Sequence, residues 1–132
     1  MGDLTEQLLS AAGSCNVQEV LALIAKGVNP NLSDEETGDR ALHRAAMEGH
    51  IELMQALLDH GADVNARNRW GHLPLHWAAE NGSTDAVRLL KERGAQVNAP
   101  DGDGLLAAEW AAREGRMGVE ALLRERTSEH QR

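Results

Sequence analysis

A period constrains this chain more than any single motif. Ala-Ala pairs stand at Ala11-Ala12, Ala45-Ala46, Ala78-Ala79 and Ala111-Ala112, spaced 34, 33 and 33 residues. Gly38, Gly71 and Gly104 recur at 33, as do Gly49, Gly82 and Gly115. Gly61-Ala62-Asp63-Val64-Asn65 returns as Gly94-Ala95-Gln96-Val97-Asn98, and more loosely as Gly27-Val28-Asn29-Pro30-Asn31. A unit of about 33 residues therefore runs four times through the 132-residue chain. The single 34 places one extra residue in an acidic loop between Asn31 and Gly38. Such a period is the signature of supersecondary units that stack on their neighbours.

Each unit reads as two short helices and a loop. In the second, Ala41 to Glu48 forms an Ala-rich helix that Gly49 ends, because glycine accepts the left-handed conformation after a helix. Ile51 to His60 forms the next, with Met54, Leu57 and Leu58 on one face and Gly61 as its stop. Asn65 to Gly71 is a polar turn. Asp3 with Glu6, and Asn16 with Glu19, have capping-box spacing. No helix is amphipathic over more than about three turns, so none buries its apolar face alone; stacking must supply the core.

Composition agrees. The chain is 42% hydrophobic but has no Phe, no Tyr and three Trp, so Ala and Leu must fill the interior. That suits flat helix-on-helix packing. The net charge of −8 disfavours nucleic acid and anionic membrane surfaces as partners. Cys15 is the one cysteine, so no internal disulfide forms, which suits a cytoplasmic or nuclear setting. No apolar run approaches the roughly 18 residues of a membrane span. The first residues fit neither a secretory signal nor a myristoylation pattern, since Glu6 stands where Ser or Thr is wanted.

Ala41-Leu42-His43-Arg44-Ala45-Ala46 and Leu73-Pro74-Leu75-His76-Trp77-Ala78-Ala79, with the Gly-Ala-Asp-Val-Asn stretch and the 33-residue period, resemble the ankyrin repeat. The resemblance covers nearly the whole chain. It implies an all-α solenoid of four helix-turn-helix units with polar turn tips: one domain over 1–127, with repeats at about 4–36, 37–69, 70–102 and 103–127 and a polar tail at 128–132. There are departures. The family's Thr before Pro-Leu-His is Arg40, Leu73 and Leu106; the Pro survives only as Pro74; Glu109 replaces the His of the fourth unit. Because that Thr normally ties the turn to the His ring, these units are expected to be less rigid than a consensus array.

The array is expected to cap itself. Val20, Met54 and Val87 of the second helices become Glu120 in the last, and Ile24 and Leu58 become Lys91 and then Arg124. Thr5, Glu6, Gln7 and Ser10 are placed to face water at the front.

The chemistry-bearing residues point away from catalysis. His43 and His76 sit in the repeat motif, where an imidazole hydrogen-bonds turn backbone. His72 and His76 are four apart, but Pro74 between them removes the shared helical face a metal pair needs. Cys15 lacks a neighbouring His or cation to lower its pKa. No catalytic residue, cofactor or metal is expected.

What the resemblance implies is a non-catalytic protein-protein interaction module, a small adaptor or inhibitor that binds one protein or extended peptide as a monomer. On that layout first helices and loop tips line a groove. The expected partner-binding residues are Arg44, Met47, Arg69, Trp70, His72, Trp77, Glu80, Asn81, Trp110 and Arg113, with Glu35, Glu36, Asp39, Asp101 and Asp103 also offered at the tips. Trp and Arg are enriched at binding hot spots, and an indole on a polar turn makes Trp70 the foremost of these. A partner of basic character is expected against the first and fourth tips, with Arg67 and Arg69 a local exception.

An alternative reading takes Trp77, Trp110 and Glu80 as a methyl-lysine cage. The ankyrin domains of certain histone lysine methyltransferases are similar, with a Trp on each of two neighbouring repeats, a Glu three residues after the first, and a further Trp on the preceding turn. That last position is His72 here. The chain is also similar in size to the ankyrin-type inhibitors of cyclin-dependent kinases. Those shorten the groove helix of their second repeat, whereas Ala41 to Gly49 is full length.

Overall fold

The computed structural model describes residues 4–125. Among the described residues eight helices follow one another: α1 (Leu4–Gly13), α2 (Val17–Ala25), α3 (Ala41–Glu48), α4 (Ile51–Asp59), α5 (Pro74–Asn81), α6 (Thr84–Glu92), α7 (Ala107–Arg113) and α8 (Met117–Arg124). No strand is present among the described residues; the nearest approach is a single bridge between Ser33 and Arg40 at the first tip. The capping signal at Asn16 is realised, its side chain accepting the Glu19 amide at 3.1 Å. The proposed Asp3 cap lies outside the described residues.

The left-handed turn after each first helix follows the period. Gly49, Gly82 and Gly115 have φ of 69°, 80° and 71°. Cys15 fills the same place in the first unit with φ 59°, alone among described non-glycine residues in having positive φ.

The helices form two layers. α1, α3, α5 and α7 pack closely in series, and α2, α4, α6 and α8 pack more loosely behind them. The array therefore curves with the first helices inside. Alanines make the close approach possible: Ala12, Ala45, Ala46, Ala78, Ala79 and Ala111 are fully buried between first helices. Leu53, Met54, Leu57, Val87 and Leu90 fill the space between layers. Lys91 does not simply turn to water, as the capping pattern led one to expect. It lies part-buried across the end of the array, its Nζ donating to the Leu122 carbonyl at 3.0 Å and pairing with Glu125 at 3.6 Å. Its aliphatic stem covers apolar surface while the ammonium finds oxygen.

Candidate functional site

The surface of interest begins with the turn tips. Each is closed by the same backbone bonds: Asp34, Asn68 and Asp101 donate N–H to Asp39, His72 and Leu105 carbonyls, and accept the Gly38, Gly71 and Gly104 amides. The first tip spans one residue more, which places the insertion within Glu35-Glu36-Thr37. Side-chain oxygens at the same three positions hold the loops. Asp34 Oδ1 accepts the Glu36 and Thr37 amides, Asn68 Oδ1 those of Trp70 and His72, and Asp101 Oδ1 those of Asp103 and Leu105.

Neighbouring tips are then stitched together. The Arg69 amide donates to Thr37 at 2.8 Å and the Gly102 amide to Trp70 at 2.9 Å. Arg40 Nη1 reaches the Arg67 carbonyl, Arg67 Nη1 the Pro100 carbonyl, and Arg69 Nη1 the Glu36 carbonyl. The two arginines read as a free basic spot are thus tied to backbone, although both remain exposed. Below the tips, Asn31 bridges Gly61 and Asp63 of the next unit, and Asn65 bridges Gly94 and Gln96.

His43 and His76 join units from inside. The Arg40 amide donates to His43 Nδ1 at 3.0 Å, which fixes the proton on Nε2, and Nε2 donates to the His72 carbonyl of the next unit at 2.9 Å. His76 repeats this with the Leu73 amide at 3.1 Å and the Leu105 carbonyl at 2.9 Å. The turn backbone bond read from the motif is present, and the inter-repeat half was not foreseen. At Glu109 only the local half is kept: Oε1 accepts the Leu106 amide at 2.8 Å.

Burial pushes both histidines below the ordinary imidazole value of 6.5, against the pull of the carbonyls they donate to and of Asp39 or Asp101. The unfolded chain takes up these protons as pH falls through about 6.5, while the folded chain resists. The stability of the neutral rings is complete above that value and is lost as pH falls toward the lowered folded pKa values. The urea unfolding midpoint is therefore expected to drop between pH 7.5 and pH 5.5; a midpoint that holds or rises would contradict this assignment.

Asp39 and Asp101 are not offered to a partner. Both are buried. Asp39 accepts from Asn68 Nδ2 at 2.9 Å and pairs with Arg44 Nε at 3.5 Å. Burial drives the Asp101 carboxyl upward, but the Leu105 amide, the Trp110 indole N–H and the Asp103 amide outweigh it and hold the group below its usual range. Amides of Thr37 and Glu36 lower Asp34 likewise.

Arg44, Trp77 and Trp110 occupy one repeat position on three successive first helices. Arg44 Nη2 pairs with Asp34 at 3.4 Å, and Trp110 Nε1 donates to Asp101 Oδ2 at 2.9 Å. Trp77 Nε1 is buried with no acceptor. The tip residue serving its unit is Asn68, which has spent its oxygen on two amides and its nitrogen on Asp39. Trp110→Phe is therefore expected to cost about 1–3 kcal/mol by leaving Asp101 short of a donor. Trp77→Phe, which removes an orphaned donor, should cost under about 1 kcal/mol. Equal losses in urea unfolding would refute the distinction.

The three indoles do not form an open cage. Trp77 and Trp110 meet edge to face with centroids 5.1 Å apart. His72 packs edge-on against both, at 5.3 and 4.8 Å, and lies 6.1 Å from Trp70. Trp70 alone is broadly exposed, at 51%. Of the other expected residues, Asn81 is exposed but donates to the Met47 carbonyl at 3.1 Å, Met47 and Glu80 are half-buried, and Arg113 is exposed.

Two depressions open on this face. One, of 420 Å³, lies between α1 and the first tip and is lined by Glu6, Leu9, Asp34, Glu35, Glu36 and Arg44 among others. The other, of 140 Å³, is lined by Glu80, Trp110, Arg113 and Glu114. Glu6 was missing from the residues expected to meet a partner; its charge is legible in the sequence, its convergence with the first tip is not. Among the described residues no group of three or more His, Cys, Asp or Glu could hold a metal ion, and no helix is long and apolar enough to cross a membrane.

A family model described as ankyrin repeats (3 copies) matches residues 8–101 and 65–131. The chain belongs to the ankyrin-repeat family. Among curated relatives, this ankyrin-repeat chain is 40% identical over 62 residues to the cyclin-dependent kinase 4 inhibitor B of Bos taurus, covering 47% of the chain and 46% of the relative. It is 38% identical over 65 residues to the inhibitor of Bruton tyrosine kinase of Xenopus laevis, covering 48% of the chain and 5% of the relative. It is 32% identical over 74 residues to an ankyrin repeat-containing protein of Schizosaccharomyces pombe, covering 56% and 35%. The matched segment is thus under half of each relative's own length. α3 has eight residues, as does α5, so the groove helix of the second repeat is full length even though a cyclin-dependent kinase inhibitor aligns. Family and relatives support a protein-interaction module.

Proposed function

We propose that this protein is a non-catalytic adaptor or inhibitor that binds one partner protein, as a monomer, along the inner helices and the tips. The observation that carries this reading is Trp70. Its backbone is clamped by Asn68 below and Gly102 beside it, yet half its surface is exposed. A rigid, exposed indole loses little freedom on binding and gains a large buried area. The kinase-inhibitor names of two relatives support a role exerted by occupying a partner's surface. Of the partner-binding residues expected from the sequence, Trp70, Met47, Glu80 and Arg113 have side chains that make no bond holding the fold among the described residues. Arg44, Arg69, His72, Trp77, Asn81 and Trp110 also serve the fold, and Trp110 still lines a depression on this face.

The acidic depression beside α1 favours a partner with basic character there, since Arg44 is already engaged by Asp34 and Asp39. The methyl-lysine reading is the weaker one, because Trp77 and Trp110 close on each other.

The test is capture from cell lysate on the immobilised 132-residue protein. Trp70→Ala should leave folding within about 0.5 kcal/mol of wild type. It should cost about 2 kcal/mol of binding, roughly thirtyfold in affinity. Undiminished capture of the same partner by the folded variant would overturn the reading.

A further inference from the structure

Resting on that reading of the inner face, we propose that the cleft between the ends of α5 and α7 takes the side chain of an arginine from the partner protein. Its volume is 140 Å³. A cavity of about 150 Å³ holds a benzene ring, so this cleft suits one planar guanidinium.

Trp110 is its aromatic wall, and the ring is set in advance. Its Nε1 is anchored on Asp101, and His72, His76 and Trp77 pack against it. Nothing on that wall needs ordering when a ligand arrives.

Glu80 and Glu114 supply the charge, one from each helix end. Neither carboxylate pairs with a cation among the described residues, and Arg113, which lines the same cleft, is unpaired too. Two carboxylates against one guanidinium leave the lining negative; Arg116, held on the Glu80 carbonyl at 3.0 Å, is not part of that lining. An indole attracts a cation over its face, and carboxylates match the planar fork of a guanidinium better than the point charge of an ammonium. A trimethylammonium instead wants several aromatic faces around it, and the second indole here is turned edge-to-face on the first.

The test titrates the isotope-labelled full chain with acetyl-Gly-Gly-Arg-Gly-Gly-amide and with the same peptide carrying lysine, trimethyl-lysine or citrulline at its centre. The indole N–H signals of the three tryptophans are followed, assigned with Trp70→Phe and Trp77→Phe. The arginine peptide should move the Trp110 signal and bind about threefold to tenfold more tightly than the other three. Glu80→Gln and Glu114→Gln should each weaken it, and Arg113→Gln should strengthen it by removing the competing cation. Equal or tighter binding of trimethyl-lysine, or a Trp110 signal that stays still at millimolar arginine peptide, overturns the proposal. If the cleft fails while Trp70→Ala still releases the captured partner, only the arginine assignment falls. If capture is also unchanged, the interaction-module reading falls with it.

Discussion

Replacing His76 with Ala is expected to cost about 3–5 kcal/mol, from a buried cavity, one stranded backbone amide and a lost bond between units. The ring is fully buried. Its loss strands the Leu73 amide within the third unit and removes the bond across to the fourth, whose Leu105 carbonyl keeps only the Asp101 amide. Repeat arrays are held by nearest-neighbour interfaces, so the damage should be directional. Amides of α7 and α8 should lose hydrogen-exchange protection before those of α3 and α4. Glu109→Ala is the control. That side chain makes only its local bond, to the Leu106 amide, and its loss should cost about 1 kcal/mol. If the two variants unfold at the same urea concentration, the inter-repeat role of the imidazole is wrong.

The second large effect belongs to Gly71. Its φ is +78°, and a Cβ there would stand 2.7 Å from the Gly102 backbone nitrogen. Gly71→Ala pays the left-handed penalty of about 1–2 kcal/mol. It also forces apart the tips joined by the Gly102–Trp70 bond, for about another 1–2 kcal/mol. Gly104 has the same conformation, with φ +82°, but nothing within 4 Å of its would-be Cβ. Gly104→Ala should therefore cost only the first of these. A thermal or urea series in which the two alanine variants match would show that the tips do not press on each other.

These two contrasts also show how far the sequence reaches. The 33-residue period sufficed for the eight helices, their order and the left-handed glycines, because local stop signals and stacking logic both repeat with it. It also singled out Gly38, Gly71 and Gly104 without a reason. For Gly38 and Gly71 the reason is the backbone of the next tip, which only a folded array brings near; Gly104 has its positive φ alone. Asp34, Asn68 and Asp101 recur 34 and 33 residues apart and hold the three tips, and that signal was open to reading; as a loop acid, Asp101 reads instead as a charge offered to a partner. Asp39 misled for the same cause, since its burial depends on Asn68, 29 residues away.

The candidate site was legible in part. Trp70 as an exposed indole follows from one residue in one polar turn. The closure of Trp77 on Trp110 does not, because helical spacing places two side chains on neighbouring ridges without setting their ring angles. The orphaned Trp77 indole lies further still from the sequence. It arises because an Asn stands where the fourth unit has an Asp, and the difference matters only once every oxygen in the tip has been assigned.

The account turns on one claim, that the tips and inner helices are the face a partner covers. Site-specific photo-cross-linking of the full chain tests it most directly. A photoreactive side chain is placed at position 70 on a tip or at position 88, exposed on α6 in the outer layer. Both proteins are irradiated in cell extract. A discrete adduct from position 70 and none from position 88 is the predicted result. An adduct from position 88 with none from position 70 would put the partner on the outer helices and contradict the account.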